Sequence, residues 1–198
     1  MKNKNIIETI LTFDKNIKMD FLKDIVKEQG VVDMIIGYKK HMEWKSIIDE
    51  NDNDWKVISK HEELSEDFIR EFQNEVIMKL ICRYQTLSEN FIREFKDKVD
   101  WRWISKHQTL SEDFIREFKD KVKWLLIVKY QKLSEDFIRE FKDKVDWGEI
   151  SIEQELSESF IIEFKDKVHW NCISCSQKLS QDFIRKYQDK VVWKCFNV

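Results

Sequence analysis

The chain of 198 residues contains no proline, and its only glycines are Gly30, Gly37 and Gly148. Proline breaks helices and glycine loosens them, so their scarcity fits a nearly all-helical chain with short turns. It also leaves little from which to build a glycine-rich turn around a phosphate. Alanine is missing altogether. It is the best helix former, so folding physics does not explain its absence. A coding sequence rich in A and T does, and the excess of lysine over arginine, 28 to 7, agrees with it. No run of about 18 apolar residues occurs, which argues against a transmembrane helix. The opening stretch "MKNKNIIETILTFDKN" has neither the apolar core nor the small-residue cleavage site of a secretory leader. Cysteine is sparse: Cys82, Cys172, Cys175 and Cys195. Together these features lead us to expect an intracellular protein with reduced thiols. No single sign of charge dominates. The formal net charge is −3, from 35 basic and 38 acidic residues, so the chain as a whole is not drawn to nucleic acid or anionic lipid.

What is present is a repeat. With 42% hydrophobic and 37% charged residues, the chain is too apolar for disorder and too charged for a membrane interior. Units begin at Leu64, Leu87, Leu110, Leu133, Leu156 and Leu179, with a period of 23 residues and no insertions. A decayed unit ending in "DWKVISKHEE" (residues 54–63) precedes them. A fixed period of this length marks an array of small stacked units.

Each unit reads as two short helices. In "LSEDFIREFKDKVKW" (residues 110–124), Ser111 stands as N-cap and Glu112 and Asp113 place negative charge at the positive end of the helix dipole. Leu110 and Ile115 have the spacing of a hydrophobic staple. Phe114, Ile115, Phe118 and Val122 fall on one arc, the expected core face. The opposite side carries Glu112, Arg116, Glu117, Lys119 and Asp120. It reads as a solvated face laced by the i,i+4 pairs Arg116–Asp120 and Glu117–Lys121. The second helix, "DWRWISKHQT" in the unit from Leu87, places Trp101, Ile104 and Gln108 on one side. Its tryptophan recurs as Trp55, Trp124, Trp147, Trp170 and Trp193, with Met78 in its place in the unit from Leu64, which suggests a core indole in the turns of the array. Residues 1–50 break the period but hold three amphipathic stretches. The expected architecture is therefore all-α: a solenoid-like array of short helix-turn-helix repeats over residues 41–198, closed by a non-repeating helical cap over residues 1–40. The last unit ends in "WKCFNV", where Trp193 and Phe196 suggest a poorly shielded end.

The wording "LSEDFIREF", then "KDKVDW", resembles short helical repeats in proteins of giant DNA viruses that infect amoebae, over roughly residues 54–198. The resemblance implies an αα array and a viral origin in keeping with the A/T bias. It implies no catalytic or binding residue.

Three sets of residues invite a functional reading. Gln85, Gln108, Gln131, Gln154 and Gln177 recur at one position, as base-reading residues do in RNA-binding repeats. They share a side with the tryptophan and isoleucine of their units, however, and so are expected to bond turn backbone between units. On the more open face of the second helices, Leu80 and Tyr84, Trp103 and His107, and Leu126 and Tyr130 are i,i+4 pairs. Lys60, Arg83, Lys106 and Lys129 run beside them. Stacking would align these groups into a stripe of aromatic and basic side chains. Later units lose it to Glu149, Ile152 and Glu153, then Cys172, Cys175 and Ser176. Repeats that stay constant where they pack and vary on one face describe a recognition surface; the simpler alternative is that this face packs on a neighbouring helix. Lastly, "HWNCISC" contains a C-x-x-C, and His169, Cys172, Cys175 and Cys195 number the four ligands a zinc ion takes. Cys172 and Cys175 sit in a predicted helix and no second pair has ligand spacing, so thiols without metal are expected.

No phosphate loop, G-x-S-x-G or H-E-x-x-H motif occurs. His41, His61, His107 and His169 are scattered, and the carboxylates line a helix face rather than a pocket. No catalysis and no cofactor are expected. The chain reads as a non-catalytic protein–protein interaction scaffold whose partner docks on the stripe through Trp103, Tyr84 and Tyr130. A second reading is single-stranded RNA binding, with bases stacked on the same rings. A third is a structural protein that self-associates through its C-terminal end.

Overall fold

The computed structural model describes residue 40 and residues 43–60 and 64–196. The cap expected over residues 1–40 lies, apart from Lys40, outside the described residues, as do His41, His61 and Val198. Every element among the described residues is helical. The chain divides into two compact units after Ile58.

In the first unit, residues 43–50 are helical and the chain then turns sharply. Asp52 (φ 50°) and Asn53 (φ 57°) supply the left-handed backbone of the turn, which short polar side chains tolerate best. Asn51 donates its amide to the Ile47 carbonyl at 2.7 Å, closing the preceding helix end. Asp54 then caps α1 (Trp55–Ile58) by accepting the Lys56 N–H at 2.8 Å.

The second unit is the array. Its first helices have six residues each: α2 (Glu66–Glu71), α4 (Glu89–Glu94), α6 (Glu112–Glu117), α8 (Glu135–Glu140), α10 (Glu158–Glu163) and α12 (Gln181–Lys186). Between them run seven-residue second helices: α3 (Met78–Tyr84), α5 (Trp101–His107), α7 (Trp124–Tyr130), α9 (Trp147–Glu153) and α11 (Trp170–Ser176). A 3₁₀ turn, Trp193–Cys195, stands where the next second helix would start. Each second helix packs on the next, so α3, α5, α7, α9 and α11 form one continuous layer. Helices this short do not hold in water alone, and stacking supplies their stability.

Local signals work as the sequence implies. Ser65, Ser88, Ser111, Ser134, Ser157 and Ser180 each accept the N–H of the phenylalanine three residues on. Phe114, Ile115, Phe118 and Val122 are all buried, but not on one helix. Helix α6 stops at Glu117. Phe118 is its C-cap, and the chain turns until the Val122 N–H reaches the Phe118 carbonyl at 3.0 Å and returns Val122 to the core. The carbonyl of Lys119, freed by this early stop, accepts the indole N–H of Trp124 at 2.9 Å. Trp101, Trp147 and Trp170 do the same for Lys96, Lys142 and Lys165.

That role corrects the expected core indole. The tryptophans of α5, α7, α9 and α11 are only half-buried. They lie against the phenylalanines of the next first helix, as Trp124 does on Phe141 with centroids 4.8 Å apart, and a lysine of that unit sits near each indole. The centre of the core is instead Phe68, Phe91, Phe114, Phe137 and Phe160 with the isoleucines that follow them, all fully buried. Each is worth about 1.5–3 kcal/mol of burial.

The charged face is also organised differently from the i,i+4 pairing expected of it. Arg116 reaches across to Glu140 of the next unit at 2.7 Å, while Asp120 pairs with Lys144 and Lys121 with Asp97. The arginine rung repeats as Arg70–Glu94, Arg93–Glu117 and Arg139–Glu163. Because the helix ends before Asp120 and Lys121, these residues are not one helical turn from Arg116 and Glu117. Their neighbours are the adjacent repeats. In addition, Glu66, Glu89, Glu112, Glu135 and Glu158 each accept the cap-serine N–H of the following unit at 2.6–2.7 Å.

Candidate functional site

The glutamine column is a set of rivets. Gln131 is buried; its amide donates to the carbonyls of Ser105 (3.3 Å) and Gln108 (2.8 Å) in the unit before, and its carbonyl accepts the Leu110 N–H at 3.0 Å. Gln108, Gln154 and Gln177 repeat all three bonds. With both ends of the amide committed to backbone, nothing is left to read a base. A serine in the same helices does similar work. The hydroxyl of Ser105 donates to the Trp101 carbonyl at 2.7 Å and accepts the Lys123 N–H at 2.9 Å. Ser151 and Ser174 repeat this pattern. The recurrence of a serine four residues after a tryptophan, at Ser105, Ser151 and Ser174, is the signal of this role in the sequence.

The stripe is where the units differ. The second helices touch one another along their flanks, and the side chains expected to line up do so. Two diagonals set the contacts. A residue on one second helix meets residues 20 and 24 positions later on the next. The guanidinium of Arg83 lies 4.7 Å from the centroid of Trp103 and 5.0 Å from that of Tyr84. Lys106 lies 6.0 Å from Trp103 and 5.3 Å from Tyr130. Trp103 and His107 stack at 5.3 Å. Lys129 faces Glu149 (3.9 Å) and Glu153 (3.7 Å) of α9, where the stripe changes sign and ends. Tyr84 and Tyr130 are both 46% exposed, and Leu80, Trp103 and Leu126 are half-buried. Lys60 is exposed. Two residues were missed: Leu125, 53% exposed, and Arg102, whose guanidinium lies 6.0 Å from the Trp103 ring. Both occupy the second position of their helix, which flanks the stripe.

Electrostatics make this face distinct. Helices α3, α5 and α7 carry Lys79, Arg83, Arg102, Lys106 and Lys129 and no carboxylate within their bounds. Burial, followed by the nearby charges of Lys106 and Arg83, pushes the His107 imidazole below its usual pKa, so it is neutral at physiological pH. Burial raises the Cys82 thiol to about 11, making it inert.

The C-terminal cysteines correct the expectation of free thiols. Cys175 and Cys195 form a disulfide with Cα atoms 5.0 Å apart. Cys195 stands one full period after Cys172. The contact diagonal joins it to Cys175 instead, 20 residues apart, just as it joins Arg83 to Trp103 and Lys129 to Glu149. Cys172 stays a half-buried free thiol. The four-ligand set of His169, Cys172, Cys175 and Cys195 does not assemble, and among the described residues no group of three or more such side chains could hold a metal ion. The His169 ring leans over Gly148, where an added Cβ would stand 3.3 Å from its Nδ1 and Cε1 atoms. At this end of the array Phe183 and Ile184 are buried, while Trp193 is 49% exposed. Among the described residues no helix is long and apolar enough to cross a membrane.

No protein-family model, curated protein or solved structure matches the chain. Its class is set by the structure itself: an all-α helical-repeat array.

Proposed function

We propose that this protein is a non-catalytic interaction scaffold whose docking face is the exposed flank of the second helices, centred on Tyr84, Trp103 and Tyr130. One observation carries the reading. Phenylalanine, isoleucine, glutamine and cap serine recur with the packing, whereas the residues that change from unit to unit gather on this flank and leave large rings and Leu125 partly open to solvent. Large aromatic side chains flanked by arginine make up the anchors of protein interfaces. The first-helix face is poorly suited to this role, because its arginines and glutamates are engaged with one another across units.

Affinity purification from host cells, with the wild-type chain and the Trp103→Ala/Tyr130→Ala variant side by side, tests the proposal. Proteins retained by the first and lost by the second are the expected result, provided both melt at similar temperatures. An identical set from both would remove the flank as the docking face. An intracellular setting belongs to the same proposal. Rapid acid quenching and alkylation in cells tests it, since Cys175 and Cys195 recovered wholly as the disulfide would place the protein in an oxidising compartment.

A further inference from the structure

Of the seven arginines, Arg70, Arg93, Arg116, Arg139 and Arg185 pair with carboxylates of the array. Arg83 and Arg102 have no carboxylate within ion-pair distance among the described residues, and both lie on the flank of the second helices. Lys106 shares that condition. Arg83 and Lys106 are held in place by rings: Arg83 between Tyr84 and Trp103, Lys106 between Trp103 and Tyr130. The result is a ladder of ring, cation, ring, cation, ring across α3, α5 and α7, with positive charge pre-positioned and uncompensated. It stops at α9, where Glu149 and Glu153 would repel an anion.

We propose, resting on the scaffold reading above, that this ladder binds an extended acidic peptide laid across α3, α5 and α7, its carboxylates on Arg83 and Lys106 and an apolar side chain against the exposed Leu125. Charge complementarity selects the occupant. Single-stranded nucleic acid would share the cations but needs ring faces for its bases. Here Trp103 already carries a guanidinium and an imidazole against its ring, and each tyrosine carries a cation. A carboxylate needs only the donors, which the rings leave free while holding the cation still. The spacing fits as well. Packed helices lie roughly 8–10 Å apart, and an extended chain rises about 3.3 Å per residue. Successive cations are therefore met by a carboxylate at every third residue, and three helices are crossed by about seven to nine residues.

A fluorescent nine-residue peptide with glutamate at every third position and phenylalanine between tests the proposal by anisotropy against the full chain. Saturable binding that weakens as salt rises is expected. Arg83→Glu/Lys106→Glu should weaken it roughly tenfold or more, the equivalent of about 1.4 kcal/mol. Lys119→Glu/Lys142→Glu, the same change in net charge off the flank, should leave it unaltered. Equal weakening by both variants would show mere long-range attraction and overturn the site. A fifteen-residue oligouridine that binds more tightly than the peptide at the same salt would overturn it in favour of nucleic acid. Absence of peptide binding at low salt would overturn it outright. The scaffold reading would still stand in that case if Trp103→Ala/Tyr130→Ala loses its captured proteins, and both would fall together if it does not.

Discussion

Replacing Gln131 with leucine tests what holds the array together. The two side chains are close in volume, so little cavity is made and the effect isolates hydrogen bonding. In the wild type, Gln131 accepts the Leu110 N–H at 3.0 Å and donates to the carbonyls of Gln108 and Ser105 at 2.8 and 3.3 Å. Leu110 and Gln131 are buried, so no water replaces the amide. An orphaned buried donor costs about 1–3 kcal/mol, and each lost bond to a carbonyl about 0.5–1.5 kcal/mol. Together the variant should lose on the order of 2–6 kcal/mol. The comparison is Glu140→Gln, which weakens the inter-unit rung to Arg116. Both side chains of that rung are more than one-third exposed, and Arg116 keeps its bonds to Asp113 and Glu112. Exposed pairs are worth about 0–1 kcal/mol. Urea unfolding followed by far-UV circular dichroism reads both. The glutamine variant should show a much lower midpoint and a broader transition, because weakening one interface in a nearest-neighbour array uncouples the units on either side. Equal losses from the two variants would refute the ranking of rivet over rung. So would a loss below about 0.5 kcal/mol for Gln131→Leu, the size of an ordinary surface substitution.

Other predictions concern individual side chains. With the disulfide intact, iodoacetamide at pH 8 should add one adduct per native chain, at Cys172; a second fast adduct on Cys82 would contradict its burial and its thiol pKa of about 11. The NMR titration midpoint of His107 should lie below the ordinary 6.5, so its protonated form opposes the native contacts, which are complete at neutral pH and weaken as the pH falls through the lowered value. Lys106→Gln removes a neighbouring cation and should move that midpoint up, though not fully to 6.5, because burial is the larger cause; an unchanged midpoint would refute the assignment. Finally, the arginine ladder stops where Ile162 replaces arginine and Lys186 replaces glutamate. Ile162→Arg/Lys186→Glu should add a rung, with a favourable double-mutant coupling of about 0.2–1 kcal/mol in urea unfolding. Zero coupling would show that the ladder adds no stability.

How much of this was legible beforehand depends on distance along the chain. Ser111 could be named as a cap because its partner, the Phe114 N–H, is three residues away. Phe114 and Ile115 could be named as core because helical periodicity is local. Val122 was rightly placed in the core but on the wrong element. The helix stops after Glu117, and the Lys119 carbonyl that this frees is taken by the indole of Trp124, a contact made only when the second helix folds back. The ion pairs failed for the same reason, since their partners are a unit away. The stripe was recognised as a set, because 23-residue periodicity brings equivalent positions side by side. Which cation meets which ring was not, because neighbouring helices are offset and the contacts fall 20 and 24 residues apart. The disulfide lies on that offset: the period makes Cys172 the equivalent of Cys195, whereas its neighbour is Cys175.

The sequence by itself thus determined the class of fold, the repeat boundaries, the caps and the identity of the groups available for recognition. Each of those follows from interactions within one helical turn, or from counting in units of the period. Tertiary structure decided the rest: the offset between adjacent second helices, the glutamine rivets, the rungs between units, the Cys175–Cys195 bond, and the cations left without carboxylates on the flank of α3 and α5. These depend on how one unit docks on the next. That docking is fixed by the packing of buried phenylalanine, isoleucine and glutamine side chains in three dimensions, which a one-dimensional period does not encode.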